Sequence, residues 1–402
     1  MAADAIQNSS SIILTSDSWL LTSFLMGFDS FLGNSAAVQA LREMLRAHRV
    51  PGALLFSGQE GVGKKTLALM MAKAMVCERL PDDFCGECVR CRRAEEMVAG
   101  AAEDLARRRE MKESARRLDG LVYFDLQLIA PFTRYILTEQ VRLLRHIAYT
   151  RPFELPRRIF IIDQAQAIHW QAVDLLLKVL EEPPATTTFV LVCPNASELR
   201  LTIRSRCQRI AFAPVDEESI VSLLAAKSGP PEAKPALVAR LAGGSVGKAL
   251  GFDLPAYIER REPWLQLLES LTSGLAPDGL SPASATRAAG PDWQRIFEAT
   301  RILTADREHF DESLGIGYSL LSDLLQVLER GERAHVTHLD VATRIRPWAA
   351  KLGFRGIEVL KRGLDEARRF QVRNVNQQLG LDALAARIVS REGSTEPTSA
   401  ST

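Results

Sequence analysis

The chain predicts an α/β fold, a parallel sheet built around a phosphate-binding loop, followed by an all-helical C-terminal half. Three observations carry this. An apolar run, Ala53 to Ser57, leads into GQEGVGKKT (Gly58 to Thr66) and then a helical pattern, which is the strand–loop–helix order of a P-loop. A second apolar run, Ile159 to Ile162, reads as a strand buried on both faces and ends in Asp163. After Pro214 strand patterns stop and helical periodicity takes over.

Taken in order, Phe28 to Val50 reads as a polar segment and an amphipathic helix with Val38, Leu41 and Leu45 on one face. The helix after the loop spans Lys64 to Val76, and a cysteine-rich loop follows. Arg92 to Arg117 is dense in charge, and its pairs Glu103–Arg107, Asp104–Arg108 and Glu113–Arg117 predict a solvent-exposed helix or helix pair. Leu121 to Ile129 reads as a strand, and Thr138 to Tyr149 as a helix with Thr138 as N-cap. The strand before Asp163, a helix from about Trp170 to Leu180, the strand Thr187 to Val192 and a short helix ending near Ser205 complete an α/β core expected over 27–213. Asp216 to Ala226, Ala233 to Leu241 and a third helix from Gly247 form a small helical unit over 214–254.

Six helices fill a second helical domain over 255–391: Trp264 to Thr272, Trp293 to Thr304, Ser313 to Glu329, Val336 to Leu352, Arg355 to Gln371 and Asn376 to Ser390. Ser273 to Pro291, rich in Pro, Gly, Ser and Ala, reads as a mobile loop. The Ser/Thr-rich stretch 392–402 and residues 1–26 read as disordered; MGFDSFLG from Met26 looks like a natural start, with the preceding residues an extension or a mis-assigned start.

The chemistry concentrates in the loop. Gly58, Gly61 and Gly63 permit a tight turn that aims successive N–H groups at phosphate oxygens, and Lys64 adds a point charge for the outer phosphates. Lys65 stands where the pattern wants Ser or Thr, so the hydroxyl that normally binds Mg²⁺ is missing. Thr66 lies about 100° further round the helix and is a doubtful substitute. Asp163 is placed to hold Mg²⁺ through water. Gln164 follows it where a carboxylate would activate the attacking water; an amide can orient that water but cannot take its proton. The pattern predicts a site that holds ATP, with or without Mg²⁺, and splits it poorly.

Lys plus Arg is 50 and Asp plus Glu 49, a neutral balance that argues against stand-alone nucleic-acid binding, which depends on phosphate neutralisation. No apolar run reaches transmembrane length, and the start lacks a basic signal region, so a cytoplasmic location is expected. Of the 6 cysteines, Cys77, Cys85, Cys88 and Cys91 fall in one short stretch. That spacing suits a closed tetrahedral Zn²⁺ site of structural type better than disulfides. Cys193 and Cys207 are isolated.

These motifs resemble those of the AAA+ clamp-loader subunits. LLLKVLEEPP (Leu175 to Pro184) looks like that family's LLKTLEEPP segment, and LTIRSRCQRI (Leu201 to Ile210) like its T-I-x-S-R-C segment. The cysteine cluster, 77–91, sits where these subunits carry a zinc module, with the first gap one residue shorter than usual. FQVRNVNQQLGLDALAARI (Phe370 to Ile388) is similar to the last helices of the delta-prime class of bacterial DNA polymerase III clamp-loader subunits. The likeness covers roughly 28–388; residues 92–120 look like an insertion, and the family's His-Pro-Asp before the next strand is absent.

The resemblance implies an AAA+ core, a helical lid and a helical collar for oligomerisation. It implies that Arg206 is an arginine finger reaching a neighbour's ATP. It further implies partnership with gamma/tau and delta subunits in a hetero-oligomeric ring, with the sliding clamp and primer–template DNA reached through that complex, within a DNA polymerase III holoenzyme. Cys193-Pro194 stands where active subunits have Thr-Thr, and Lys248 near where a sensor arginine would sit. Lys65, Gln164 and Cys193 all weaken the chain's own chemistry while Arg206 serves a neighbour's, which is the profile of a stator rather than a motor. The alternatives are an ATP-hydrolysing gamma/tau-type motor, against which Lys65 and Gln164 count, and a branch-migration helicase, against which the cysteines and the LEEPP and SRC segments count.

Overall fold

The computed structural model describes residues 27–111, 125–227, 234–273, 275, 292–305, 309–372 and 377–390. The readings for 1–25 and 392–402, the pair Glu113–Arg117, and nearly all of the expected loop 273–291 lie outside them. By its contacts the chain divides into two compact units, 1–229 with 242–251, and 230–241 with 252–402.

The first unit holds α1 (Ser35–Arg46), β1 (Ala53–Ser57), α2 (Lys64–Val76), α3 (Val89–Glu110), β2 (Leu126–Ile129), α4 (Thr138–Ala148), β3 (Arg158–Ile162), α5 (Val173–Glu181), β4 (Thr187–Cys193), α6 (Leu201–Arg204), β5 (Gln208–Ala211) and α7 (Glu217–Lys227). The five strands form one parallel sheet in the order β2-β3-β4-β1-β5. Side chains alternate across it as a pleated strand requires. Leu54, Phe56, Ile159, Ile161, Val190 and Val192 pack with α1, α2 and α3, while Leu55, Phe160, Ile162, Phe189 and Leu191 pack with α4 and α5. Phe160 and Phe189 stack with centroids 5.2 Å apart, a pair worth about 0.5–1.5 kcal/mol beyond its burial.

Helices on both faces explain why the central strands read as unbroken apolar runs. β5 did not stand out in the sequence because it is an edge strand with only Ile210 buried, so it carries no apolar run.

Two expectations need correction. The charged stretch from Arg92 is not simply a solvated face: α3 buries Ala94, Met97, Val98, Leu105 and Arg108, and the fully buried Lys73 of α2 meets its Glu95 at 3.1 Å. The pair Asp104–Arg108 forms as expected, and Arg107 also turns to Asp104. Thr138 is the first residue of α4 rather than its cap. The cap is Leu137, whose N–H donates to the side chain of Gln140 at 2.8 Å.

Asp125, just before β2, is buried and ties the strand edges together. Its carboxylate accepts from the backbone N–H of Phe153, Glu154 and Leu155 and pairs with buried Arg158 at 3.0 Å.

The second unit is helical: α8 (Pro235–Ala242, whose last residue falls in the first unit), α10 (Leu254–Ser273), α11 (Trp293–Ala305), α12 (Phe310–Arg330), α13 (Ala342–Val372) and α14 (Gln377–Ser390). Between α8 and α10, the five-residue α9 (Val246–Leu250) belongs to the first unit. α10 begins at Leu254, ten residues before Trp264, and runs through Pro263. Proline removes one helical donor, and the turns on either side hold the helix together. α13 spans two of the expected helices and bends at Gly353, with φ 58, where the sequence separates them. It starts at Ala342 rather than Val336 because the buried Asp323 carboxylate accepts from the backbone N–H of Thr337 and His338, which holds that stretch outside the helix. No helix among the described residues is long and apolar enough to cross a membrane.

Candidate functional site

β1 delivers the chain into the loop, and α2 carries it away. Gly58, Gly61 and Gly63 adopt φ of 155, 75 and 96. Gly61 has a second reason to lack a side chain: a Cβ there would lie 2.1 Å from Ser245 Oγ. Its carbonyl accepts the Gly247 N–H at 2.7 Å, so the start of α9 sits directly on the loop, with Lys248 exposed beside it.

Lys64 is buried, and its Nζ donates to the Gly58 and Gln59 carbonyls at 2.5 and 2.6 Å, drawing the loop around itself. Burial lowers its pKa, and the charge of Asp163 is the largest opposing influence. β1 and β4 run side by side, and Ser57 is the register partner of Cys193. Burial raises the Cys193 thiol to about 11, with the Lys64 ammonium working against it.

Lys65 is not idle. Its Nζ lies 3.4 Å from Asp163 Oδ2, and Asp163 Oδ1 accepts the Gln164 N–H at 3.0 Å. Gln164 adopts a left-handed conformation with φ 52, an uncommon choice for a residue with a side chain and one found often at functional positions. The residues here do not fit Mg²⁺. Its usual hydroxyl ligand is replaced by an ammonium, and that ammonium sits on the carboxylate expected to bind the metal. Thr66 is half-buried one step along α2. The structure thus gathers Gly58, Gly61, Gly63, Lys64, Lys65 and Asp163 at one site. The Lys65–Asp163 pair escaped the sequence reading, which treated Lys65 only as a lost hydroxyl.

Arg206 is elsewhere. β5 runs parallel to β1 with Gln208 opposite Leu54, so Arg206 lies level with the start of β1, whereas the loop leaves its far end. The length of that strand, about 17 Å, separates them. Arg206 is held by Glu181 at the end of α5, Nη2 to Oε1 at 2.5 Å, and donates to the Thr202 carbonyl at 2.9 Å. Glu181 was missed as a site residue, although it lies inside the LEEPP segment.

The four cysteines converge between α2 and α3. Cys77 ends α2, Cys88 caps α3, and all four sulfurs lie within 4.8 Å of one another. A tetrahedron of thiolates at 2.3 Å from a Zn²⁺ ion has sulfurs about 3.8 Å apart, so the cluster fits a metal with little movement. The Cys91 N–H donates to Cys88 Sγ at 3.4 Å and the Cys88 N–H to Cys85 Sγ at 3.3 Å. Burial works to raise the Cys88 thiol, but hydrogen bonds to it prevail and bring it down to about 7; burial and its neighbours push Cys91 up.

Residues 33–216 match the sequence family described as DNA polymerase III, delta subunit. DNA polymerase III subunit tau of Bacillus subtilis is 29% identical over 195 residues, covering 48% of this chain and 30% of that protein. The tau/gamma subunit of Haemophilus influenzae is 28% identical over 231 residues, covering 56% and 30%. Residues 33–216, a little under half of the chain, therefore resemble DNA polymerase III clamp-loader subunits. Subunit tau of Escherichia coli is 28% identical over 196 residues, 48% of this chain and 26% of its own length. The chain therefore spans less than a third of each of these three relatives. A solved gamma subunit-related protein of Thermotoga maritima aligns over 89% of this chain and all of its own at 18% identity, with a TM-score of 0.41.

Proposed function

We propose that this chain is a delta-prime-type, stator-like subunit of a cytoplasmic DNA polymerase III clamp loader. It closes a hetero-oligomeric ring with gamma/tau and delta subunits and supports loading of the sliding clamp onto primed DNA. The observation that carries this reading is the position of Arg206, a strand's length from the chain's own loop and at the opposite end of β1. An arginine there serves a neighbour's nucleotide or none. A guanidinium set against charge developing on a neighbour's transferring phosphoryl group lowers that barrier without acting on its own site.

The chain's own loop supports the same division of labour. Gly58, Gly61, Gly63, Lys64 and Thr66 would bind a nucleotide's phosphates, but Gln164 cannot accept a proton from water and Asp163 is engaged by Lys65. A gamma/tau-type motor role is the alternative, and these two features count against it. Cys77, Cys85, Cys88 and Cys91 would hold one Zn²⁺ as a staple that fixes α3 to α2, with no open position for chemistry. Within the proposed plan, 27–213 is the AAA+ core, 214–254 the lid and 255–391 the collar.

The test is reconstitution with gamma and delta subunits and a sliding clamp on primed DNA. Stable incorporation and clamp loading that require this chain are expected. A ring that assembles and loads equally well without it would reject the proposal.

A further inference from the structure

We infer that the phosphate site of this chain works without a divalent metal ion, the Lys65 ammonium taking the metal's place. The inference rests on the reading of Gly58 to Thr66 as a polyphosphate site and specifies its ligand: a nucleoside triphosphate, or another polyphosphate, not complexed by metal.

Both oxygens of Asp163 are engaged, one by Lys65 Nζ at 3.4 Å and the other by the Gln164 N–H at 3.0 Å. Lys65 and Asp163 are each only 20% exposed, so water screens their attraction weakly. Lys64 is almost fully buried on the next position of the same helix turn, and Asp163 is also the largest charge favouring its ammonium form. Asp163 thus faces two ammoniums, with Glu60 a smaller opposing charge on Lys64. A divalent cation entering here would displace Lys65 and add two charges beside two others at a pair that is only 20% exposed.

An anion meets the opposite situation. The loop's N–H groups, Lys64 and Lys65 together offer it one positive charge more than an ordinary loop of this kind, which presents a single lysine and a neutral hydroxyl. Free ATP, which carries more negative charge than its Mg²⁺ complex, is the better complement.

The test is equilibrium dialysis of the intact chain with ATP, and separately with inorganic tripolyphosphate, in excess Mg²⁺ and in EDTA, with the zinc content and melting curve of the protein matched in the two buffers. Binding in EDTA is expected to equal or exceed binding in Mg²⁺. Weakening by EDTA of more than about tenfold would overturn the inference while leaving the polyphosphate reading intact. Absence of binding by either probe in both buffers would remove that reading and this inference together.

Two variants address the cause. Asp163→Asn should strengthen binding in EDTA severalfold, because Lys65 loses its counter-charge; a loss of binding confined to the Mg²⁺ buffer would mean that Asp163 serves a metal, against the inference. Lys65→Thr should make binding metal-dependent, with Mg²⁺ favoured by about tenfold. If that variant, folded by its melting curve, still binds equally in both buffers, Lys65 is not the metal's substitute.

Discussion

Arg206 and Glu181 form an ion pair, Nη2 to Oε1 at 2.5 Å, that joins the SRC and LEEPP segments. Both side chains are partly open to solvent, 32% and 49% exposed. Such a pair contributes about 0–1 kcal/mol, so it can give way when a better anion arrives. A neighbour's triphosphate is such an anion.

Arg206→Ala should accordingly change the stability of the isolated chain by less than about 1 kcal/mol in urea unfolding. In a reconstituted loader it should lower hydrolysis at one neighbouring site by about 10³-fold or more, and clamp loading with it. Lys64→Ala should be much milder in the same assay, because its own site is not expected to turn over. The reverse ranking would make this chain a motor.

The isolated chain should hydrolyse ATP far below the roughly 1–100 s⁻¹ of working phosphoryl-transfer enzymes. Gln164 supplies no base, and its left-handed backbone already departs from an ordinary strand exit. Steady-state turnover inside that range, in protein that loses it on Lys64→Ala, would contradict the assignment.

Metal analysis of freshly purified protein should find about one Zn²⁺ per chain. Cys88→Ser should lower the melting temperature, since the sulfur that caps α3 and accepts the Cys91 N–H is lost along with a ligand. It should leave the Arg206-dependent activity of a reconstituted loader intact. Metal content well under half an equivalent, with no change in melting on chelation, would argue for four plain thiols.

Asp125 predicts a pH dependence of stability. Burial alone would raise its carboxyl, but the N–H groups of Leu155, Glu154 and Phe153 and the Arg158 guanidinium outweigh it and hold the folded value below the usual range. Its contribution is therefore complete above the unfolded value of about 3.9 and is lost as pH falls through the lowered folded value. Asp125→Ala should cost about 3–5 kcal/mol at neutral pH, because Arg158 stays buried without its partner. The variant should also show a shallower loss of stability below about pH 4 than the parent. Parallel acid-unfolding curves would show that Asp125 is not the group responsible.

The parts of this protein determined locally were legible in its sequence. β1 through α2 fall where the apolar run, the glycines and Lys64 put them, because a P-loop is one continuous piece of chain whose geometry glycine alone permits. The four cysteines are equally local, spanning only α2's end to α3's first turn. The bend at Gly353 was legible for the same reason.

What only tertiary structure decided are relationships between distant segments. Lys65 and Asp163 are far apart in the chain and meet because parallel strands bring their C-terminal ends to one edge of the sheet. Arg206 and Glu181 meet at the opposite edge by the same rule. The amphipathic α3, read as solvated from its charges, is half-buried because the sheet face beneath it must be covered. Val336 to Leu339 stays outside α13 because a buried carboxylate from α12 takes its N–H groups. Spacing along the chain determines which groups a short segment can present; which charge each group finally faces depends on strand order and packing, and no local pattern encodes those.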